Sequence, residues 1–255
     1  MPDTVAATWD GLSAEALAQR CAVPRVELLS ETESTQDVAH ALAEAGAPAG
    51  TTVLADAQSA GRGRMGRVWM SQPGMGVWCT VLERPRQTDA LDLLSLRIGL
   101  NAAEALDGFA GEGVGVKWPN DLILRAGKLG GILVEARWSG STLAWVAIGV
   151  GVNVVAHPGV PGAVGLTPDA RRSAVLVAIV RAVRSAAAAE GRFTIAELAR
   201  FRARDVLAGR RIVSPAAGKV MGITATGSLV VETVRGSEQF RAGTIQLAEE
   251  EGGHT

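Results

Sequence analysis

The sequence predicts an α+β chain, with a central mixed or antiparallel sheet covered by helices over residues 25–204 and then a small β-barrel over residues 207–248. Three observations lead to this reading. As far as Arg202, stretches with apolar residues at helical spacing alternate with β-branched runs. Between Val114 and Val150, strand-like runs are separated by turns too short for a crossover, so neighbours pair as antiparallel meanders. Beyond Val206, short apolar runs are punctuated by Gly218, Gly227, Gly236 and Gly243, a spacing suited to a barrel of about forty residues.

Taken in order, residues 1–24 form an N-terminal extension with one weak amphipathic stretch, Ser13–Arg20, before extended sequence at Val26–Leu29. Ser34 and Thr35 offer N-cap hydroxyls, and Val38, Ala39, Ala41 and Leu42 make the apolar stripe of a helix reaching about Ala45, which Gly46 and Pro48 end. Thr51–Ala55 is rich in β-branched residues and reads as a strand. Residues 57–69 are a Gly/Arg-rich loop, and Gly74–Leu82 is the next strand. Leu91–Leu106 reads as the longest buried helix. Val114–Trp118, Leu122–Arg125, Ile132–Arg137 and Leu143–Val150 are the meander strands. Ala174–Ala188 and Ile195–Arg202 are helices. Arg211–Val213, Lys219–Thr226, Leu229–Thr233 and Thr244–Leu247 are the strands of the small unit, and the acidic run from Glu249 to Glu251 is solvated charge.

Composition excludes several classes. Of the 255 residues, 47% are hydrophobic and 20% charged, as in folded domains and unlike disordered chains. A net charge of −1 offers no global field for nucleic acid or anionic membrane. Cys21 and Cys79 have no ligand spacing, which fits a reducing compartment. Met1-Pro2-Asp3-Thr4 has no signal-peptide character, and the most apolar helical window, Ala174–Val183, is short and interrupted by Arg181. The expectation is a cytoplasmic protein that binds neither membrane nor nucleic acid. The first thirty or so residues leave no room for the helices of a helix-turn-helix unit.

Four motifs carry chemistry. Gly61-Arg62-Gly63-Arg64-Met65-Gly66-Arg67-Val68-Trp69 contains GxGxxG, but a strand rather than a helix follows it, so the dinucleotide fingerprint fails. A phosphate-binding P-loop fails as well, because Arg67 and Val68 stand where lysine and a hydroxyl are needed. The residues that remain suit an anion. Guanidinium forks match phosphate and carboxylate, glycines admit close backbone approach, and Trp69 offers a flat surface for a base. Such a loop would be mobile without ligand, and a plain solvated basic loop is the alternative. In Lys117-Trp118-Pro119-Asn120-Asp121, Pro119 holds Trp118 extended and leaves a polar pair at a turn, which could be nothing more than a hairpin. Lys128-Leu129-Gly130-Gly131-Ile132-Leu133-Val134-Glu135 sets an ammonium at a strand mouth, or is an ordinary turn. Ile148-Gly149-Val150-Gly151-Val152-Asn153 ends a strand with two glycines, a mark of close approach or of a β-bulge.

In order, Ser34-Thr35-Gln36, Gln58, the GRGRMGR loop with Trp69, KWPND, KLGGILVE and GVGVN resemble the biotin protein ligase family from about residue 30 to 155. The resemblance implies the fold shared with lipoate-attaching enzymes, and an SH3-like C-terminal domain. It implies two steps. The carboxylate of biotin attacks the α-phosphate of ATP, giving biotinyl-5′-AMP and pyrophosphate, and a carrier lysine then attacks the mixed anhydride. It further implies that Ser34, Thr35, Gln36, Gln58, Gly61, Arg62, Gly63, Arg64, Lys128, Gly131 and Gly149 serve biotin. Arg64, Arg67, Trp69, Lys117, Asn120, Lys128 and Asn153 would serve ATP, and Lys128, Arg64 and Asp121 the chemistry, Asp121 by placing the incoming lysine or a metal-bound water. Magnesium would come with ATP, bound through phosphates and water rather than a protein cage. The partner would be a biotin carboxyl carrier domain of an acyl-CoA carboxylase, and the resemblance admits a homodimer.

Joining a carboxylate to a phosphate brings like charges together, so cations must face both, as Arg62, Arg64, Arg67, Lys117 and Lys128 could. No Ser/His/Asp or Cys/His set is needed, and His40, His157 and His254 match no motif. Gln36 stands where the family commonly has Asn, and Gly130 where it has Ala; both changes should alter affinity more than activity. The repressor function of some members is not carried over. A lipoate or octanoate ligase of the same fold is the nearest rival. An arginine-loop nucleic-acid binder would require a wider basic surface, and a non-catalytic carrier-binding protein would lack the two lysines.

Overall fold

The computed structural model describes residues 3–85 and 88–248, so the acidic run from Glu249 and His254 lie outside the described residues. Strands β1 (Thr4–Val5), β2 (Val26–Thr32), β3 (Thr52–Gln58), β4 (Gly76–Glu83), β5 (Gly115–Lys117), β6 (Asp121–Leu124), β7 (Gly127–Ser139) and β8 (Thr142–Asn153) form one sheet in the order β1-β2-β3-β4-β8-β7-β6-β5. Among these pairs β2 and β3 run parallel, and their crossover is α2 (Thr35–Glu44). The remaining neighbours are antiparallel. The mixed sheet and the β5–β8 meander agree with the sequence reading.

Helices α1 (Ala14–Cys21), α3 (Leu91–Ala110) and α4 (Arg172–Ala187) cover one face, and α5 (Ile195–Arg204) packs on α3 and β5. Period-two alternation decides which side chains meet them. Leu28, Leu54, Val77, Val81, Ile148, Val150 and Val152 point into the core shared with Leu96, Leu100, Leu176 and Ile179. Residues of the opposite parity, Leu29, Val53, Ala55 and Ala147, pack beneath α2 with Ala39. The helix ends follow local chemistry. The Ser34 hydroxyl accepts from the Gln36 N–H at 3.3 Å, and Thr194 and Glu197 form a reciprocal capping box on α5. Gly111 closes α3 at φ 74°, a left-handed conformation that favours glycine.

From the segment expected as an extension, residues 3–24 supply β1 and α1 to this body, and Trp9 and Leu17 are buried in its core. Strands β7 and β8 are longer than expected, because Lys128, both glycines of KLGG and the whole of GVGVN lie within the ladders. Strand β12 (Gly236–Phe240) escaped sequence reading because only its last residue, Phe240, is apolar and none of the five is fully buried.

The C-terminal unit comprises β9 (Arg211–Ser214), β10 (Gly218–Ile223), β11 (Leu229–Thr233), β12 and β13 (Gln246–Leu247). The order β12-β11-β10-β9-β13 corrects one expectation: this is a small antiparallel sheet of the SH3-like kind, and its edges β12 and β13 do not pair to close a barrel. Strand β13 contributes only two residues. Ile212, Val220, Leu229 and Val231 join the same core as α3. Buried Trp118 donates its indole N–H to the Gly227 carbonyl at 3.0 Å, tying the two sheets together. Among the described residues no helix is long and apolar enough to cross a membrane.

Candidate active site

A cavity lies on the α2 side of the main sheet, and glycines leave part of its floor as bare peptide. Gly131 on β7 faces Gly151 on β8, and Gly149 lies two residues before Gly151. The ladders run through GVGVN without a register shift, so these glycines mark close approach rather than a bulge. A Cβ on Gly151 would come within 2.6 Å of the Trp69 indole, one on Gly149 within 2.9 Å of the Gln36 amide, and one on Gly131 within 3.4 Å of Trp69.

At one end stands the start of α2. The Thr35 N–H and hydroxyl donate to Gln58 Oε1 at 2.9 and 3.1 Å, and Gln58 Nε2 donates to Ser71 Oγ at 2.7 Å. Ser34 is spent on the helix cap. Gln36 donates Nε2 to the Leu133 carbonyl at 3.0 Å, yet its Oε1 is buried without a partner. A buried amide oxygen without a donor costs free energy, and a ligand N–H arriving in the cavity would recover it.

The arginine loop, expected to be mobile, is a hairpin with a closed neck: Trp69 N–H donates to the Gly61 carbonyl and Gly63 N–H to the Arg67 carbonyl at 2.8 and 2.7 Å. At its tip Met65 takes φ 57°, and its Sδ accepts from the Thr244 hydroxyl of the C-terminal unit. Arg64 donates to Asn120 Oδ1 at 3.3 Å, and its burial draws the guanidinium below the ordinary arginine range, an effect Asp121 opposes and Arg67 adds to. Arg62 has a different environment. It donates to Asp37 Oδ2 at 2.6 Å and lies 3.7 Å from Glu135; chiefly through the Asp37 bond, these anions raise its pKa. Arg62 lines the cavity and is at the same time paired with these two carboxylates.

The KWPND segment turns from β5 into β6, with Trp118–Pro119 in the cis form. Asn120 is clamped to β7, its backbone carbonyl accepting from Ile132 N–H and its Nδ2 donating to Ile132 O, at 2.9 and 2.8 Å. Lys128 Nζ pairs with Asp121 Oδ1 at 2.7 Å and lies 5.3 Å over the Trp69 ring. Trp69 packs edge-on to Trp78 at 6.2 Å, and its own N–H is buried without a partner.

Of the residues expected in the site, Ser34, Thr35, Gln36, Gln58, Arg62, Gly63, Arg64, Arg67, Trp69, Lys117, Asn120, Asp121, Lys128, Gly131 and Gly149 line the cavity. Gly61 and Asn153 are not in its wall. Gly61 closes the loop neck, and Asn153 donates Nδ2 to the Lys128 carbonyl at 3.3 Å, bracing that strand beside the cavity. Sequence reading missed Thr244 and Ile245, which no local pattern marks and which the second sheet brings to the cavity. It also missed Glu135 and His40, which stand behind Arg62.

Arg64, Arg67, Lys117 and Lys128 thus converge on a cleft where, among the described residues, Asp121 is the one wall carboxylate. Such a cleft accepts a polyanion and stabilises charge developing on it. Cys79 also borders it, but burial pushes its thiol up to about 12, so it supplies no thiolate nucleophile. Among the described residues no three His, Cys, Asp or Glu side chains cluster to hold a metal.

The Biotin/lipoate A/B protein ligase family model matches residues 28–153. The chain is 43% identical over 129 residues to the bifunctional ligase/repressor BirA of Bacillus subtilis, covering 49% of this chain and 39% of that protein. It is 39% identical over 145 residues to the biotin–[acetyl-CoA-carboxylase] ligase of Paracoccus denitrificans, covering 55% and 60%. The matched segment thus spans less than two thirds of either relative. In structure the chain is similar to the biotin protein ligase of Aquifex aeolicus in complex with biotin and ATP, at TM-score 0.73 and 24% identity over 88% of this chain and 99% of that one. At that identity the likeness shows the fold.

Proposed function

Since residues 28–153 carry a domain of the biotin/lipoate A/B protein ligase family, we propose that this protein activates biotin with ATP and transfers it to a lysine of a biotin carboxyl carrier domain. One observation carries the reading: a cavity floored in part by bare peptide brings Lys128, Arg64 and Arg67 together with the polar group Thr35, Gln36 and Gln58.

Gln36 Oε1, buried without a donor, would accept from a ureido N–H of a head group seated beside it. The acid's tail then runs toward Lys128. Nucleotide phosphates fit Arg64, Arg67 and Lys117, with Trp69 as the surface for the base. Lys128 exchanges Asp121 for the substrate anions and screens the carboxylate oxygen from the α-phosphate it attacks. The new bond joins that oxygen to phosphorus, and pyrophosphate leaves with the electron pair of the broken P–O bond. In the second step the carrier amine attacks the acyl carbon and AMP leaves; Asp121, released from Lys128, can hold the amine's proton. Magnesium would be delivered with ATP, held by phosphate oxygens and water, and would partly neutralise the phosphate charge. ATP as substrate and two free thiols suit the cytoplasm.

The test is acid-dependent ATP–pyrophosphate exchange with biotin, lipoate and octanoate at equal concentration. Exchange with biotin alone is expected. Exchange only with lipoate or octanoate would move the protein to the sister activity, and exchange with none would end the adenylation reading.

A further inference from the structure

We propose that His40, Glu135 and Trp145 are positioning residues for Arg62, fixing the first guanidinium of the arginine loop against the cavity wall. The inference deepens the proposed function and rests on it for its kinetic readout.

A continuous chain of hydrogen bonds runs beneath the loop. Trp145 on β8 donates its indole N–H to His40 Nδ1 at 2.9 Å. An indole can only donate, so Nδ1 accepts and the ring N–H sits on Nε2. From there it meets Glu135 Oε2 on β7 at 2.9 Å. The same carboxylate oxygen lies 3.7 Å from Arg62, whose other terminal nitrogen donates to Asp37. Trp145 is in turn held from its other side: Arg84 sits 5.7 Å over its ring and donates to the Ala43, Ala47 and Ala144 carbonyls.

Exposure decides which anion anchors Arg62. The Asp37 side chain is 57% exposed, and an ion pair that open to solvent contributes little. Glu135 is 25% exposed and is oriented by His40, itself 8% exposed. The half-buried Glu135 carboxylate, oriented by the His40 hydrogen bond, is the less screened of the two anions, whereas Asp37 makes the direct hydrogen bond. Every member behind Arg62 belongs to α2, β7 or β8, whereas Arg62 belongs to the loop. The network therefore transmits the rigidity of the sheet to the loop that proposedly closes over the acid. Two carboxylates on one guanidinium also remove it as a free cation, which leaves Arg62 an ordering role and leaves charge stabilisation to Arg64, Arg67 and Lys128.

The test compares H40L, H40Q, E135Q and W145F with the parent chain in biotin-dependent exchange and in tryptic cleavage at Arg62–Arg67, with thermal melting as the fold control. H40L and E135Q are expected to raise KM for biotin about tenfold with kcat nearly unchanged, and to speed loop cleavage by a similar factor. H40Q, whose amide can still donate to Glu135, should return most of both effects. W145F, which keeps the ring and removes the donor, should shift KM in the same direction by a smaller factor. Parent-like KM and cleavage in H40L, equal effects of H40L and H40Q, or an equal fall in kcat would overturn the proposal. Should H40L not fold, a folded W145F with parent-like KM would overturn it, and a raised KM would sustain it. If the parent chain exchanges with no acid, the functional reading fails while the cleavage arm still decides the network; if it exchanges and H40L matches it, the network alone fails.

Discussion

The two faces of the main sheet are made from the same strands and obey opposite rules. Toward α3 and α4, β8 presents Ile148, Val150 and Val152, all fully or almost fully buried; toward the cavity the intervening positions are Gly149 and Gly151. On the helix side, burial of apolar area stabilises the fold, and volume is what each position must supply. On the cavity side each position must withhold volume, because Trp69 and Gln36 already occupy the space a Cβ would need. The electrostatics divide in the same way. The cations of the cavity face are half-exposed or exposed, whereas the most buried arginine, Arg97 on α3, is bound by Glu197 and by three backbone carbonyls of residues 190–192. A buried charge with full partners serves the fold, and a converging group of under-partnered charges serves a ligand.

That contrast can be broken or sharpened in steps. The largest effect is expected from Lys128→Ala, which should lower biotin-dependent exchange about 10³-fold. Its melting temperature should stay unchanged, because the pair with Asp121 is exposed; near-normal exchange would remove Lys128 from the chemistry. Gly151→Val should displace the Trp69 indole and lower exchange about 10²-fold, as misplacement of a positioning group does. Parent-like nucleotide affinity in that variant would show that Trp69 has no part in the site. Arg64→Ala should speed loss of the adenylate about tenfold, read as its dissociation rate in a rapid-filtration assay; an unchanged rate would argue that Asn120 alone holds that side. On the other face, Val150→Ala should cost about 2 kcal/mol in urea unfolding with exchange intact. Loss of activity at unchanged stability would mean that the two faces are not independent. The smallest effect concerns reactivity: with thiols pushed up by burial to about 11 and about 12, Cys21 and Cys79 should resist a disulfide reagent at pH 8 until the chain is unfolded.

Much of this was legible in the sequence. The stripe on α2, the meander from β5 to β8 and the glycine punctuation of the C-terminal unit follow from periodicity and turn chemistry, which are local. The cavity's principal residues were legible too, because they come in runs: GRGRMGR, KWPND and KLGG each deliver several wall residues from one stretch. Other features depend on partners distant in the chain. Strand β12 has Phe240 as its one large apolar residue, and its place in the sheet rests on pairing with β11. Thr244 reaches the cavity through the docking of the second sheet. His40 lies on the most ordinary-looking helix in the chain, and its role appears only once residues 95 and 105 positions further on are brought beside it. The partners of Arg62 were hidden for the same reason: its motif announces a cation, and only the fold brings Asp37 and Glu135 beside it.

The bond from Trp118 to Gly227 bears on how the protein can be divided. The tryptophan belongs to the turn carrying Asn120 and Asp121, and the carbonyl it reaches belongs to the tight turn between β10 and β11, whose Gly227 also rests on Leu93 and Leu96 of α3. Removing the second sheet would therefore wet a large indole and strip a neighbour from the longest helix at one stroke. The two sheets are consequently expected to melt in a single transition, and a fragment ending before β9 to lose the turn carrying Asn120 and Asp121 before it loses its core.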